Sequence, residues 1–555
     1  MRHRYIIFSA ILPFLTVSLL SCGSGSPAAK SGTSFTSTVS GKVQYEDKEY
    51  GKEGWTGNTY YKAVRYATVE IVDSVKYTPL ASTVTDLSGN YSVSFSTDGL
   101  TQVYVRVISE TSSQIDKPDV QIQNLSGSVY SANKSNFTPS GGISTVDISI
   151  SSDSVAGAFN MLDIFTSSGE FINSLSGGNT PPLKVYWEIN NSFGTYYCHG
   201  YDINYCRFGE GIHVLNEPGG DTDEYDDDVL WHEYGHFAAA KFSKDDSQGG
   251  EHSLSDNTQD LRLAWSEGWG NFFPGAVKTW LKSVNSSLLS ADSSMPLAQY
   301  VDTIEYVNII GTRTMISFDF SASNGTPYIY ASNETAVANI LWRTMGETAG
   351  GLSGIWDVFV KYIPQITDPV NLETFWNGWL SRQAANGSLA TFFTSRSIFY
   401  QDDSFENDNS PSPVRKASIG AGGEETHYLY KTNSNTDVDI AAFDAAVGVT
   451  YDIETYDLKN GADTYLTVLD TDGSTTLSEN DNYDGAAYSN CDYYENCPIN
   501  GIIEPPATPV APLSSRITFT PSASGIYYIK VTTSPDRPPS AGKYGTYSLK
   551  ITLSQ

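Results

Sequence analysis

Apolar and polar residues alternate in short runs near the start of the chain. GKVQY (41–45), ATVEIVD (67–73), YSVSF (91–95) and VYVRVIS (103–109) carry apolar side chains at about every second position. That period puts them on one face of an extended strand. DLSGN (86–90) supplies a turn between two of the runs. Residues 36–109 are therefore expected to form a small β-sandwich. Residues 110–153 are rich in Ser, Asn and Gly and read as a linker or pro-segment. From Ser154 the texture changes. AFNMLDIFTSSGEFINSL has helical character, and LKVYWEI and GIHVLN read as strands. The stretch from Asp226 to Tyr400 is mostly helical by pattern, in DDVLWHEYGHFAAAKF, LAWSEGWGNFFPGAVKTWL, ETAVANILWRTMGETA and LETFWNGWLSRQAAN. A polar linker covers 401–425. Alternation returns over 426–555, in YDIETYD, TYLTVLDTDG, RITFT, GIYYIKVTT and YGTYSLKITL. The pattern gives a multidomain chain: a central α+β domain, 154–400, flanked by two all-β sandwiches.

Length agrees, because 555 residues exceed what one hydrophobic core serves. A hydrophobic content of 39% with 17% charged residues suits globular domains. The formal net charge of −30 argues against a nucleic-acid partner, which needs clustered Lys and Arg against phosphate.

The N-terminus reads as an export signal over residues 1–21. MRHR is basic, and YIIFSAILPFLTVSLL is apolar but short for a mature membrane span. It ends in LLSC, Leu19 to Cys22. This resembles a bacterial lipobox, which implies a lipid on Cys22, with residues 22–35 as a flexible tether. The expected location is the bacterial cell envelope, at the outer membrane, with the lipid as the only membrane contact. The remaining cysteines fall into two close pairs, Cys198 with Cys206 and Cys491 with Cys497. Outside the cytoplasm they read as two short-loop disulfides, local pairing being one of three pairings that four cysteines allow.

The chemistry concentrates in DDDVLWHEYGHF, Asp226 to Phe237. Residues four apart on a helix share a face, so His232 and His236 can point two imidazoles at one zinc ion. Glu233 lies one step around, within reach of a metal-bound water as general base. A catalytic zinc needs a third protein ligand and one open position. The candidate is Glu267 in LAWSEGWGNFF, with Asn271 four residues on to hold the other ring nitrogen of a ligand histidine. The acidic run Asp226, Asp227, Asp228 suits the start of a helix. His213 and His252 read as surface or supporting residues. His199 lies inside the cysteine loop.

HExxH followed by a helix bearing E-x-x-x-D/N resembles the gluzincin zinc peptidases, which include thermolysin-like enzymes. EGWGNFF is similar to the EGW-x-D-F-F element of fungalysin-like metallopeptidases. The resemblance covers about Ser154 to Tyr400. It implies a zincin-type catalytic domain with one catalytic zinc on His232, His236 and Glu267, and a protein or peptide substrate. This chain has Asn271 where the family usually has aspartate. Phe242 excludes the metzincin alternative, which needs a histidine there. Tyr330 falls where the family places an oxyanion-stabilising histidine, and Tyr328 is a rival for that role. GIHVLN is expected as the edge along which an extended substrate pairs.

Residues 36–109 resemble carboxypeptidase regulatory domains. Residues 426–555 resemble the bacterial pre-peptidase C-terminal domain, on Ala462–Leu466, Asp470–Gly473, Glu479–Asp481, Ser515–Ile517 and Tyr544–Leu549. DTDG within it offers oxygen ligands for Ca2+ and also reads as a hairpin turn. The expected function is zinc-dependent peptide hydrolysis at the cell envelope. The Asn271 and Tyr330 departures keep a second expectation open: a catalytically weakened surface lipoprotein that binds or adheres.

Overall fold

The structure is a computed structural model. It describes residues 34–554 apart from 112–116, 201–205, 218, 290–296, 308–312, 323–327, 384–386, 412–418, 431–436 and 483–512. The expected export signal, the expected lipidation site Cys22, most of the expected tether, Cys491 and Cys497 lie outside the described residues.

The chain is multidomain, with several β-sheets and seven helices among the described residues. The helices are α1 (Ala156–Ser176), α2 (Asp227–Phe242), α3 (Leu261–Val284), α4 (Glu334–Glu347), α5 (Gly351–Lys361), α6 (Leu372–Arg382) and α7 (Gly387–Thr394).

The first β-region is organised by one long strand, Phe35–Gly51. Its first half pairs antiparallel with Asn90–Thr97 and its second with Gly54–Ala63. A second sheet of eight strands runs through the molecule. Its main order is Tyr196–Cys198, Gly211–Val214, Leu183–Trp187, Val120–Gln123, Val103–Thr111, Ala67–Asp73 and Pro79–Val84. Strands of the first β-region thus continue into the sheet that flanks α2.

Residues 110–153, read from the sequence as a linker or pro-segment, carry the short strands Val120–Gln123, Ser131–Asn133, Ile143–Thr145 and Ile148–Ile150. Runs of three or four residues are too short to display a period of two. One buried apolar core follows, joining Val43, Ile71 and Val107 to Ile122, Phe165, Trp231 and Leu341. A buried ionic cluster adds to it. Lys62 lies 3.4 Å from both Asp47 and Asp163, and Arg65 pairs with Asp163 at 2.5 Å, clamping Gly54–Ala63 onto α1. Removing one partner would leave uncompensated buried charge, a loss of roughly 3–5 kcal/mol.

The hairpin Gln299–Val307 with Arg313–Asp319 was not expected in the helical region. It explains the acidic run before the histidines. The carboxylate of Asp226 accepts the N–H of Thr303, and that of Asp228 accepts the N–H of Val301 and pairs with Lys278 of α3. These aspartates fasten the start of α2 to its neighbours, beyond any effect on the helix dipole.

Two four-stranded sheets form the C-terminal sandwich. Ile453, Leu466, Val468, Ile529, Val531 and Ile551 fill the space between them. DTDG is a turn there, with the Asp472 carboxylate accepting the N–H groups of Ser474 and Thr475. The sandwich docks on the helical region. Glu373 of α6 accepts the N–H groups of Lys543 and Tyr544 at 2.9–3.0 Å. Tyr544 packs edge-on against Tyr400 and Tyr430. The N–H of Leu261, first residue of α3, reaches the carbonyl of Ser540 at 3.4 Å. A Cβ at Gly461 or Gly542 would meet the Leu261 side chain at 2.5 or 3.1 Å, so glycine permits this approach.

Candidate metal centre

Two helices build the centre. α2 is buried along most of its length, and Asp260 caps α3 by accepting the N–H of Arg262. The helices cross closely because both present glycine at the contact. A Cβ on Gly235 would lie 3.3 Å from the Cα of Gly270. A Cβ on Gly270 would lie 2.7 Å from Cε1 and Nε2 of His232, so only glycine leaves room for that ring. The indole of Trp269 locks the crossing by donating to the carbonyl of Gly235 at 2.9 Å.

The structure brings His232, His236 and Glu267 together. Nε2 of His232 is 3.0 Å from Nε2 of His236 and 3.2 Å from Oε2 of Glu267. The third side of the triangle, His236 Nε2 to Glu267 Oε2, is 3.4 Å. Ligands at about 2.0–2.1 Å from a tetrahedral zinc stand about 3.3 Å apart, so this donor set fits such an ion.

The far side of each ring is also engaged. Nδ1 of His232 lies 3.1 Å from Oδ1 of Asn271, which accepts its proton and leaves Nε2 free to bind a metal. Nδ1 of His236 lies 3.3 Å from the hydroxyl of Ser266, which donates onward to Asp245 at 2.7 Å. Glu233 is 8% exposed, and its carboxylate accepts the N–H of Tyr197 at 2.6 Å. Tyr300 closes the wall beside His232, ring centroids 6.0 Å apart.

The electrostatics favour a cation. Burial opposes protonation of His236, but Glu267, Glu233 and Asp245 overrule it and hold its pKa at about 10. Burial would raise the carboxyl of Glu267, yet His236, His232 and His252 hold it well below the usual range.

Other expected residues have these neighbours. The ring of Tyr330 faces Lys459 of the C-terminal sandwich, 5.8 Å from its ammonium. The carbonyl of Tyr328 accepts from Arg396. The strand Gly211–Val214, expected as the substrate edge, is covered by Tyr196–Cys198, which pairs with it antiparallel and becomes the outer strand. Two-residue register information of this kind is not visible in the linear pattern. Cys198 and Cys206 form a disulfide with Cα atoms 5.4 Å apart, at the end of that outer strand. His213 is buried, stacked between Tyr186 and Tyr196, a supporting role.

Sequence reasoning missed Ser266, Asp245 and Glu334, and read His252 as a surface or supporting residue. Ser266 and Asp245 support His236 as described. His252 places Nε2 3.5 Å from Glu267 and Nδ1 2.8 Å from Glu334. Glu334, 1% exposed, is also 3.5 Å from Nδ2 of Asn271. Ser266 adjoins Glu267 in sequence, a usable signal. His252 sits in the connection between α2 and α3, where no periodicity marks it. Three further groups of ligand-type side chains come together: Asp403, His427 and Asp439; Glu406, Asp437 and Asp439; and Asp221, Asp223 and Asp302.

Compared with known proteins, the chain matches no protein-family model and no curated protein. Among solved structures it is similar to a pre-peptidase C-terminal domain of a collagenase from Bacillus anthracis, at 16% identity, over 24% of this chain and 92% of that one, with a TM-score of 0.15.

Proposed function

We propose that this protein is a zinc-dependent peptidase that hydrolyses protein or peptide substrates at the bacterial cell envelope, held there by a lipid on Cys22. The observation that carries the activity is the near-equilateral triangle of His232 Nε2, His236 Nε2 and Glu267 Oε2. Its supports are the acceptors behind both rings and the carboxylate of Glu233 on the same helix.

Zinc held by the three side chains supplies a water of lowered pKa and polarises the scissile carbonyl. The chain's own residues do the rest. An extended substrate adds to the outer edge of Tyr196–Cys198, which brings its backbone beside Glu233. Glu233 takes the proton of the attacking water and passes it to the departing nitrogen. His252, with its side chain 36% exposed, Nδ1 on Glu334 and Nε2 3.5 Å from Glu267, would offer the hydrogen bond to the carbonyl oxygen. Asn271 and Ser266 keep the two rings oriented.

The test compares zinc content and hydrolysis of casein and a broad peptide panel between the wild type and Glu233→Gln. Both proteins are expected to hold one zinc per chain, and only the wild type to cut. A wild type that holds zinc yet cuts no faster than the variant would replace this reading with the binding or adhesion one.

A further inference from the structure

Resting on that reading, the structure assigns a role to the C-terminal sandwich: we propose that Asn460 is a positioning residue for the metal centre, acting through the segment Tyr330–Glu334. Asn460 lies in the turn between the strands Tyr451–Lys459 and Thr464–Leu469 and is 2% exposed. Its Oδ1 accepts the N–H of Ala331 at 2.8 Å, and its Nδ2 donates to the carbonyl of Ser397 at 2.9 Å. One side chain thus satisfies a buried N–H and a part-buried carbonyl belonging to another part of the molecule.

The backbone at this junction is unusual. Tyr330, Ser397 and Asn460 all have positive φ, at 76°, 57° and 59°. Tyrosine and serine seldom adopt this region, and such residues persist where their surroundings fix them from several sides. Here the N–H of Tyr330 bonds to the carbonyl of Arg396, and Asn460 holds the next residue on each strand of the junction.

From Ala331 the restraint reaches the metal centre in few steps. Asn333 caps α4 by accepting the N–H of Ala336, and it ties to the carbonyls of Leu254 and Asp256. Ser332 donates to the carbonyl of Asn257. The segment therefore also holds the connection that carries His252. Glu334, first residue of α4, meets His252 at 2.8 Å and Asn271 at 3.5 Å, and Asn271 meets His232 at 3.1 Å. A shift at Ala331 moves Glu334, and with it the group behind a zinc-binding ring.

Asn460→Gly tests this, because glycine accepts the positive φ but removes both hydrogen bonds. Zinc affinity, read by competition with a chelating dye, is expected to fall about tenfold, the lower end for lost outer partners. Turnover should fall while KM changes less than twofold. Asn460→Asp keeps the acceptor for Ala331 and is expected to retain affinity within about threefold. Tyr544→Leu loosens the same domain interface away from Tyr330–Glu334, so it should lower the unfolding temperature and leave zinc affinity unchanged. An Asn460→Gly protein that binds zinc as tightly as the wild type overturns the proposal. So does a loss matched by Tyr544→Leu. A wild type that takes up no zinc overturns this proposal together with the reading it rests on, whereas a normal wild type beside an unaffected variant overturns this one alone.

Discussion

The side-chain amide of Asn271 stands between His232 and Glu334, its oxygen 3.1 Å from Nδ1 of the histidine and its nitrogen 3.5 Å from the glutamate. An amide can face a proton on one side and a carboxylate on the other, and aspartate cannot. Asn271→Asp, although it restores the residue usual in the resembled family, is therefore expected to weaken zinc binding. Two carboxylates at that separation do not both ionise readily in a buried site. Asn271→Asp with Glu334→Gln should recover the affinity. Zinc titration of the two variants checks the order.

Tyr330→Phe is expected to leave turnover within about twofold of wild type, since the ring that it keeps is the part packed beside Lys459. His252→Ala should lose about 10²–10³ in kcat, the usual cost of removing one donor to a developing oxyanion. Steady-state kinetics on one peptide, with zinc content measured alongside, separates the two tyrosine and histidine readings.

Gly270→Ala places a methyl group 2.7 Å from the His232 ring. The ring must turn or the helices must part. Zinc affinity should fall by at least about tenfold, while circular dichroism still reports the folded helices.

Glu373 gives the domain junction a pH dependence. Burial pushes its carboxyl up to about 7, against the pull of the Lys543 and Tyr544 N–H groups. Its ordinary value is 4.5. The folded state thus holds this proton more tightly than the unfolded state does. The contribution to stability is full below about 4.5 and is lost as the pH rises through 7. Over that window the loss is on the order of 3 kcal/mol, at about 1.4 kcal/mol per pKa unit. Glu373→Gln removes this dependence, so its unfolding midpoint relative to wild type should rise between pH 5 and pH 8. Urea titrations at both pH values check it.

Much of this architecture was legible in the linear pattern. The periods of two and 3.6 located the first strands, α1, α2, α3 and the C-terminal sandwich, because each run is long enough to repeat. HExxH with Glu267 named the residues that converge, because a helix fixes what four-residue spacing means. The short strands between Val120 and Ile150 escaped, being too brief to show a repeat. The hairpin at Gln299–Asp319 escaped inside a region read as helical. The partners His252, Glu334 and Asp245 arrive from separate segments, and their meeting depends on helix packing that no local spacing encodes. Tyr330 has a left-handed backbone and a ring beside Lys459, and its place in a motif signals neither.

The contact between Leu261 and Ser540 also has a temporal side. A ribosome makes His232, Glu233 and His236 long before it reaches the residues that close the first turn of α3. Throughout that interval, the helix that bears Glu267 has an unfinished beginning. Copies still being synthesised, or clipped ahead of Ser540, lack the closure that a full-length chain acquires last.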